Sequence, residues 1–412
     1  NLGARNVEKA MVHLQKAEAL LAKLPVSRKH AYFYTAMAVA CYLARRIDEG
    51  IEAGRRAMEI GDQTKNEWAW IYGAILTSVF LVFRGALAEG LGLANEARKR
   101  AAGMSDTMLG STIALIGGGN YHRLIDPREA RNWYLDELSL PRTAQSEPRR
   151  ALLRNLAALA CVHMGQLAEA RDHLVQAGGG AFKHLLVMEG EWDSARESKR
   201  ESLELAQATG DRLQEMDDLF SIALLHRVRG EFGLAEELAG RGLSIAIEAG
   251  DVLSELWGSS LIAMILAAQG RATEAIAHLE RCREILALGE DWRAIAGYVA
   301  RAEAVVAAAL GSYSTADRQF EKAITTFRRY TLPWEEAETL RLWGCALGSA
   351  ENHARSVEKC DAAIEIYRLR GAGARWIERA EAAKIPNRGR KAILKDVVTS
   401  NGGQSGKSRN RS

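Results

Sequence analysis

A small residue recurs along this chain at intervals of about 40 residues, and this period constrains the fold more than any other feature. The stretch 219–251 shows one complete unit, in which apolar residues recur at helical spacing, pause at Gly230 and resume until Gly250. The recurring small residues are Ala10, Gly50, Gly90, Ala130, Ala170, Ala195, Ala235, Ala275, Ala316 and Ser356. The pattern predicts an all-α solenoid of about nine and a half helix pairs.

Two further columns keep the same register. A glycine stands five residues before the small residue in six copies, at Gly85, Gly165, Gly190, Gly230, Gly270 and Gly311. A second small residue precedes this turn position by seven residues in most copies, Ala223 and Ala263 among them. Together the small residues, turn glycines and paired helices resemble the tetratricopeptide repeat family over roughly residues 1–384, although that family's usual period is about 34 residues. The resemblance implies a scaffold that binds proteins.

An interruption in the period predicts two solenoid segments. The interval between Ala170 and Ala195 is much shorter than the others, because Phe182–Met188 is too short for a full first helix. Three glycines precede this short stretch, at 178–180. Glycine gives the backbone the greatest freedom, so we expect a joint here. The predicted segments are residues 1–180 and residues 181–386.

The two ends of the sequence depart from the repeat. By register, Arg5 falls in a turn between helices, which makes Val7–Leu24 a second helix and predicts that the first segment starts mid-repeat, in a piece of a longer polypeptide. Residues 387–412 hold seven Lys or Arg and one Asp, and predict a disordered basic tail. The tail contains GGQSGKS but lacks the glycine spacing of a phosphate-binding loop.

Cysteine usage and hydropathy predict a cytoplasmic protein. The five cysteines are scattered without metal-ligand spacing, as in a reducing compartment, and Cys41, Cys161 and Cys345 fall on inward positions that predict a core role. The longest uncharged run made mostly of apolar residues is Trp68–Phe83. Because a membrane span needs about 20 residues and this run is shorter, it predicts a buried helix.

We find no residue pattern that predicts chemistry. The nine histidines do not pair at metal-ligand spacing, and neither a catalytic triad nor a glycine-rich phosphate loop is recognisable. We therefore predict that this chain is not an enzyme, with no catalytic residues, no cofactor and no metal. Nucleic-acid binding through the basic tail is disfavoured because no aromatic residues are interleaved with its charges.

Binding is expected on the concave face, which first helices line in this architecture. The residues found by counting back from each turn position are more often apolar or aromatic than charged. The predicted groove is therefore suited to a protein or peptide segment, or to an upstream domain of the same protein. The alternative is that a tightly wound superhelix buries these side chains in itself. The predicted groove residues are Tyr32, Tyr72, Val79, Phe220, Trp257, Met264 and Tyr298.

The last predicted second helix, Cys360–Ala380, suggests a wider context. Its sequence, CDAAIEIYRLRGAGARWIERA, resembles the end of the repeat region in bacterial signalling proteins that join an ATPase module to such repeats. Adenylate or guanylate cyclases and large LuxR-type regulators share it. The resemblance implies a sensor or partner-docking region of a cyclase-like protein, since no space follows for a DNA-reading domain. The alternatives are the repeat region of a transcriptional regulator and a stand-alone adaptor.

Overall fold

The computed structural model describes residues 4–144, 146–178 and 183–384, and within them every regular element is a helix. Twenty-one α-helices occur in these ranges, together with a short 3-10 turn at Ala101–Gly103. They are α1 Ala4–Leu21, α2 Arg28–Ala44, α3 Ile47–Gln63, α4 Glu67–Phe83, α5 Leu87–Arg100, α6 Thr107–Arg123, α7 Pro127–Leu138, α8 Pro141–Ala144, α9 Glu147–His163, α10 Leu167–Gln176, α11 Lys183–Met188, α12 Trp192–Thr209, α13 Arg212–Arg229, α14 Phe232–Ala249, α15 Val252–Ala268, α16 Ala275–Leu286, α17 Ile295–Ala309, α18 Tyr313–Arg329, α19 Pro333–Ser349, α20 His353–Leu369 and α21 Ala374–Ala383. The predicted all-α solenoid is confirmed.

The turns between paired helices share one backbone geometry. At Gly85, Gly165 and Gly230 the φ angles are 81°, 70° and 80°, in the left-handed region that glycine enters without steric cost. Arg45 and Ile125 replace this glycine but keep the conformation, with φ of 60° and 54°. The turn column therefore specifies a backbone shape, which neighbouring contacts hold even where the residue is not glycine.

Two local predictions need correction, and two glycines within a helix have a packing reason. Arg5 lies inside α1 and not in a turn. The glycines at 117 and 118 in α6 make room for the rings of Trp133 and Tyr134, with which a Cβ at either glycine would overlap. Cys360–Ala380 is not one helix, since Gly371 adopts a φ of 72° and separates α20 from α21.

The solenoid winds tightly enough for its later repeats to pack against its early ones. Hydrogen bonds join early turns and helix ends to residues at or before the start of first helices 172 to 206 positions later. Among these pairs are Arg45 with Asp251, Ala88 with Glu290, Arg128 with Thr331, Val162 with Trp334, and Val187 with Trp376. These separations correspond to one superhelical turn in about five repeats. The predicted boundary near residue 180 stays a prediction, and Gly179 and Gly180 lie outside the described residues.

Several remaining predictions can be placed on this fold. Of the helices in the described ranges, none combines the length and the apolar character that crossing a membrane requires. The apolar run predicted to be a buried helix is α4, most of whose side chains are buried. Cys41 and Cys161 are buried as predicted, whereas Cys345 is half-buried. The basic tail at 387–412 lies outside the described residues.

Helix crossings at the small-residue column give a direct test of the register. Ala235 is fully buried near the start of α14, whereas Glu237 on the same helix is exposed. We expect Ala235→Leu to lower the free energy of unfolding by about 1–3 kcal/mol through overpacking. The matched change Glu237→Leu should alter it by less than about 0.5 kcal/mol. Urea denaturation followed by circular dichroism measures both, and equal losses would contradict the register.

Candidate functional site

The seven side chains predicted to line the groove do not form one open surface. Val79, Phe220, Met264 and Tyr298 are buried, Tyr72 and Trp257 are half-buried, and only Tyr32, at 49% exposure, is open to solvent. The prediction of an open apolar face is therefore wrong for most of these positions in this conformation. Whether any of them contacts a partner stays a prediction.

Tight winding explains this burial. Neighbouring first helices come close enough for their inward aromatic side chains to fill the space between them. The Phe220 and Trp257 rings meet edge to face with centroids 5.0 Å apart, and Gly242 and Gly258 leave room for Phe220. Tyr298 packs instead on Phe327 of the second helix α18, with ring centroids 5.2 Å apart. The apolar inward residues thus belong to the core between repeats.

Charged side chains occupy the interior instead, and Glu338 on α19 is at the centre of the larger group. Arg341, one helical turn along, donates two hydrogen bonds to its carboxylate, at 2.8 and 2.9 Å. Arg379 on α21 approaches to 3.2 Å, and Arg227 at the end of α13 to 3.5 Å. Burial alone would raise the pKa of Glu338, but the positive charges of Arg341 and Arg379 outweigh it and hold this pKa well below its usual range.

Arg301 on α17 extends this group. Its side chain is buried, pairs with Glu335 at 2.5 Å and lies over the ring of Tyr298. His163, at the end of α9, lies near Glu335, and burial lowers its pKa, which favours the neutral imidazole. The interior thus brings together helices from both halves of the chain.

The arginine cluster, which we define as Arg227, Arg301, Arg341 and Arg379 with Glu335 and Glu338, carries an excess of positive charge. Four guanidinium groups face two carboxylates, a formal net charge of +2. Burial, and then repulsion by the other arginines, lowers the pKa of Arg227 to about 10 despite Glu338. The Nε atoms of Arg227 and Arg301 are buried and donate no hydrogen bond within the protein. Such donors, at a site with surplus positive charge, are suited to an anionic ligand group.

A second interior group is electrically balanced. Arg45 pairs with Asp251, and Lys199 pairs with Asp218 at 2.9 Å. Arg123 donates to the hydroxyl of Tyr42 at 3.1 Å. Asp217 is accessible from the interior, yet desolvation by the surrounding helices raises its pKa. Three cations face three carboxylates here, so this group offers no surplus charge for a ligand.

The arginine cluster was missed in the sequence, although the repeat register contains it. Residues that lie thirteen and ten positions before a turn are expected to face inward. Counted back from the turn at Glu351, these residues are Glu338 and Arg341. Arg301 lies ten residues before the turn of the preceding repeat, at Gly311, so it occupies the same register position as Arg341. The available signal was the replacement of apolar inward residues by charged ones in the last repeats.

Comparisons with known proteins support the fold. No protein-family model matches the chain, and no curated protein matches it by sequence. Among solved structures, it is similar to a Rap protein complexed with competence and sporulation factor, at 12% identity and a TM-score of 0.60, over 83% of this chain and 99% of that one. RapI in its apo form matches at 14% identity and a TM-score of 0.43, over 82% and 97%. Aspartyl phosphate phosphatase F from Bacillus subtilis matches at 11% identity and a TM-score of 0.38, over 89% and 91%. The first match shows a shared helical-repeat fold.

Proposed function

We propose that this chain is a non-catalytic interaction scaffold that binds an acidic protein segment at the arginine cluster. The observation that carries the proposal is the surplus of two positive charges beside buried, unused Nε donors on Arg227 and Arg301. Carboxylates accept such donors in charge-assisted hydrogen bonds, which are stronger than neutral ones. The Rap protein that shares the fold was solved complexed with competence and sporulation factor, which supports a binding role for this architecture.

The proposal changes the character of the partner expected from the sequence. An apolar helix would need the inward aromatic side chains to be open, and most of them are buried. Asn155, Leu152 and Tyr32 are exposed and stand at inward positions of the repeat register, so they offer contacts to the remainder of a bound segment. An acidic segment with a few apolar side chains fits these surfaces better than a wholly apolar one.

Binding of a labelled acidic peptide tests this function. We expect fluorescein-labelled deca-glutamate to bind more tightly than deca-glutamine, with an affinity that falls as salt rises. Arg227→Gln should weaken binding about tenfold or more, because a hydrogen bond to a charged group contributes about 1.5–3 kcal/mol. Glu338 keeps Arg341 and Arg379 in this variant, so its carboxylate stays paired.

The matched control is Arg241→Gln, which changes an exposed arginine on α14. It removes the same charge far from the interior and should leave the affinity within about twofold, since single exposed charges contribute little. Equal binding of both peptides, or equal losses in both variants, would contradict binding at the arginine cluster. Fluorescence anisotropy measures all these affinities.

We also propose that the chain is the partner-docking region of a larger cyclase-like signalling protein. This proposal is supported only by the resemblance of the sequence at 360–380, while the fold is equally compatible with a transcriptional regulator or a stand-alone adaptor. The reading frame upstream of Asn1 tests it. A cyclase domain and an ATPase module would support the proposal, and their absence would overturn it.

A further inference from the structure

One helix pair brings together three side chains of the types that bind zinc. Cys161 lies near the end of α9, and Glu169 and His173 lie one helical turn apart on α10. One ligand atom from each side chain can be chosen so that all three lie within 4.8 Å of one another. This is the one group of metal-ligating type in the ranges that the structure describes. Sequence spacing did not predict it, because the left-handed turn at Gly165 folds the two helices together.

His173 gives an independent reason to expect a ligand. Both ring nitrogens are buried, and neither makes a hydrogen bond within the protein. Its Nε2 atom is 3.8 Å from the Glu169 carboxylate, which is too long for a hydrogen bond. A buried polar atom without a partner costs about 1–3 kcal/mol. A metal ion between Cys161, Glu169 and His173 would give one of these nitrogens a partner.

We infer that Cys161, Glu169 and His173 form a zinc-binding site. Zinc accepts thiolate sulfur, imidazole nitrogen and carboxylate oxygen together, and a tetrahedral ion with these three ligands keeps one position for water. Arg131 on α7 donates to Oε1 of Glu169, the carboxylate oxygen that lies 3.8 Å from Nε2 of His173. A carboxylate that binds a metal is usually held by such an outer hydrogen bond.

Zinc binding at this site releases one proton. Burial raises the pKa of the Cys161 thiol to about 12, with Glu169 and Arg131 as the charged groups that face it, so the thiol is protonated in the metal-free protein. The Zn–S bond forms as the S–H bond breaks, and the proton passes to solvent. His173 needs no such step, because burial lowers its pKa and keeps the ring neutral.

The position of the site indicates what zinc would do. It ties α9 to α10, and the neighbouring carbonyl of Val162 accepts a hydrogen bond from Trp334 at 2.5 Å, a contact between early and late repeats. Zinc would stabilise this pair and the packing next to it. The inference is independent of acidic-segment binding, since none of its residues belongs to the arginine cluster.

Equilibrium dialysis of the chelator-treated protein against zinc chloride tests the site. We expect one equivalent of zinc in the wild-type chain, and cobalt in its place should give a near-ultraviolet thiolate-to-metal charge-transfer band. Cys161→Ser and His173→Gln should each weaken zinc binding by more than about 100-fold, beyond what loss of an outer partner causes. Circular dichroism checks that each variant keeps its helices.

The matched controls are Cys345→Ser and His353→Gln, which change the same residue types on α19 and α20. Both should retain one equivalent and the charge-transfer band. The inference is overturned if the wild-type chain takes up no zinc, if cobalt binds without the thiolate band, or if the Cys161 and control variants bind zinc equally.

Discussion

Replacing Glu338 with glutamine is expected to lower the free energy of unfolding by about 3–5 kcal/mol, the cost of leaving buried charges without their partner. Glu338 is the shared counter-charge of Arg227, Arg341 and Arg379, and only 7% of its side chain is exposed. Glutamine keeps the shape and some hydrogen bonding but removes the negative charge. Urea denaturation followed by circular dichroism measures the change.

The exposed Glu365 on α20 supplies the control for this variant. Glu365→Gln makes the same chemical change at the surface and should shift stability by less than about 0.5 kcal/mol. If Glu338→Gln were as mild as this control, the arginine cluster would not depend on its central carboxylate.

The same carboxylate predicts how stability depends on pH. The folded pKa of Glu338 lies well below its usual range, whereas the unfolded chain has an ordinary glutamate pKa of about 4.3. The unfolded state therefore takes up the proton first as pH falls. The contribution of Glu338 is complete above the unfolded pKa and is lost as pH falls toward the folded pKa. Wild-type stability should decline in this acidic range more steeply than that of Glu338→Gln.

Arg45→Ala is expected to lower the free energy of unfolding by a similar amount, about 3–5 kcal/mol, because it removes a contact between successive superhelical turns. Arg45 pairs with Asp251, a residue 206 positions later whose side chain is fully buried. Without the guanidinium group, this carboxylate keeps the backbone N–H of Ser254, at 3.1 Å, as a donor but loses its counter-charge. Arg45 also covers the ring of Phe83 at 3.5 Å, so packing is lost as well.

The neighbouring Arg46→Ala provides the matched control. Arg46 pairs with Glu49 at the surface, where both side chains are about half exposed, and such a pair contributes at most about 1 kcal/mol. The double variant Arg45→Met with Asp251→Asn should recover much of the lost stability, because it removes both charges and keeps an N-cap residue on α15. No recovery would indicate that packing on Phe83, and not charge, dominates.

The expectation of an open groove was wrong at most of the predicted positions, and particular residues show the reason. The register placed Phe220, Trp257 and Tyr298 on the inward side of their helices, and that direction is correct. The repeat register could not give the distance between adjacent first helices. That distance determines whether an inward aromatic ring faces an open groove or packs on a neighbouring helix. That distance depends on glycines of other helices, such as Gly242 beside Phe220.

The sequence alone was sufficient to determine the helix pairs, the turns between them and the points where the helices cross. Helical periodicity, a left-handed turn and a small residue at a crossing each act over a few residues, so each can be read from the chain. The superhelical curvature sums small rotations over about five repeats. Only the tertiary structure therefore decided that Arg45 would meet Asp251 and that Arg227 would reach Glu338.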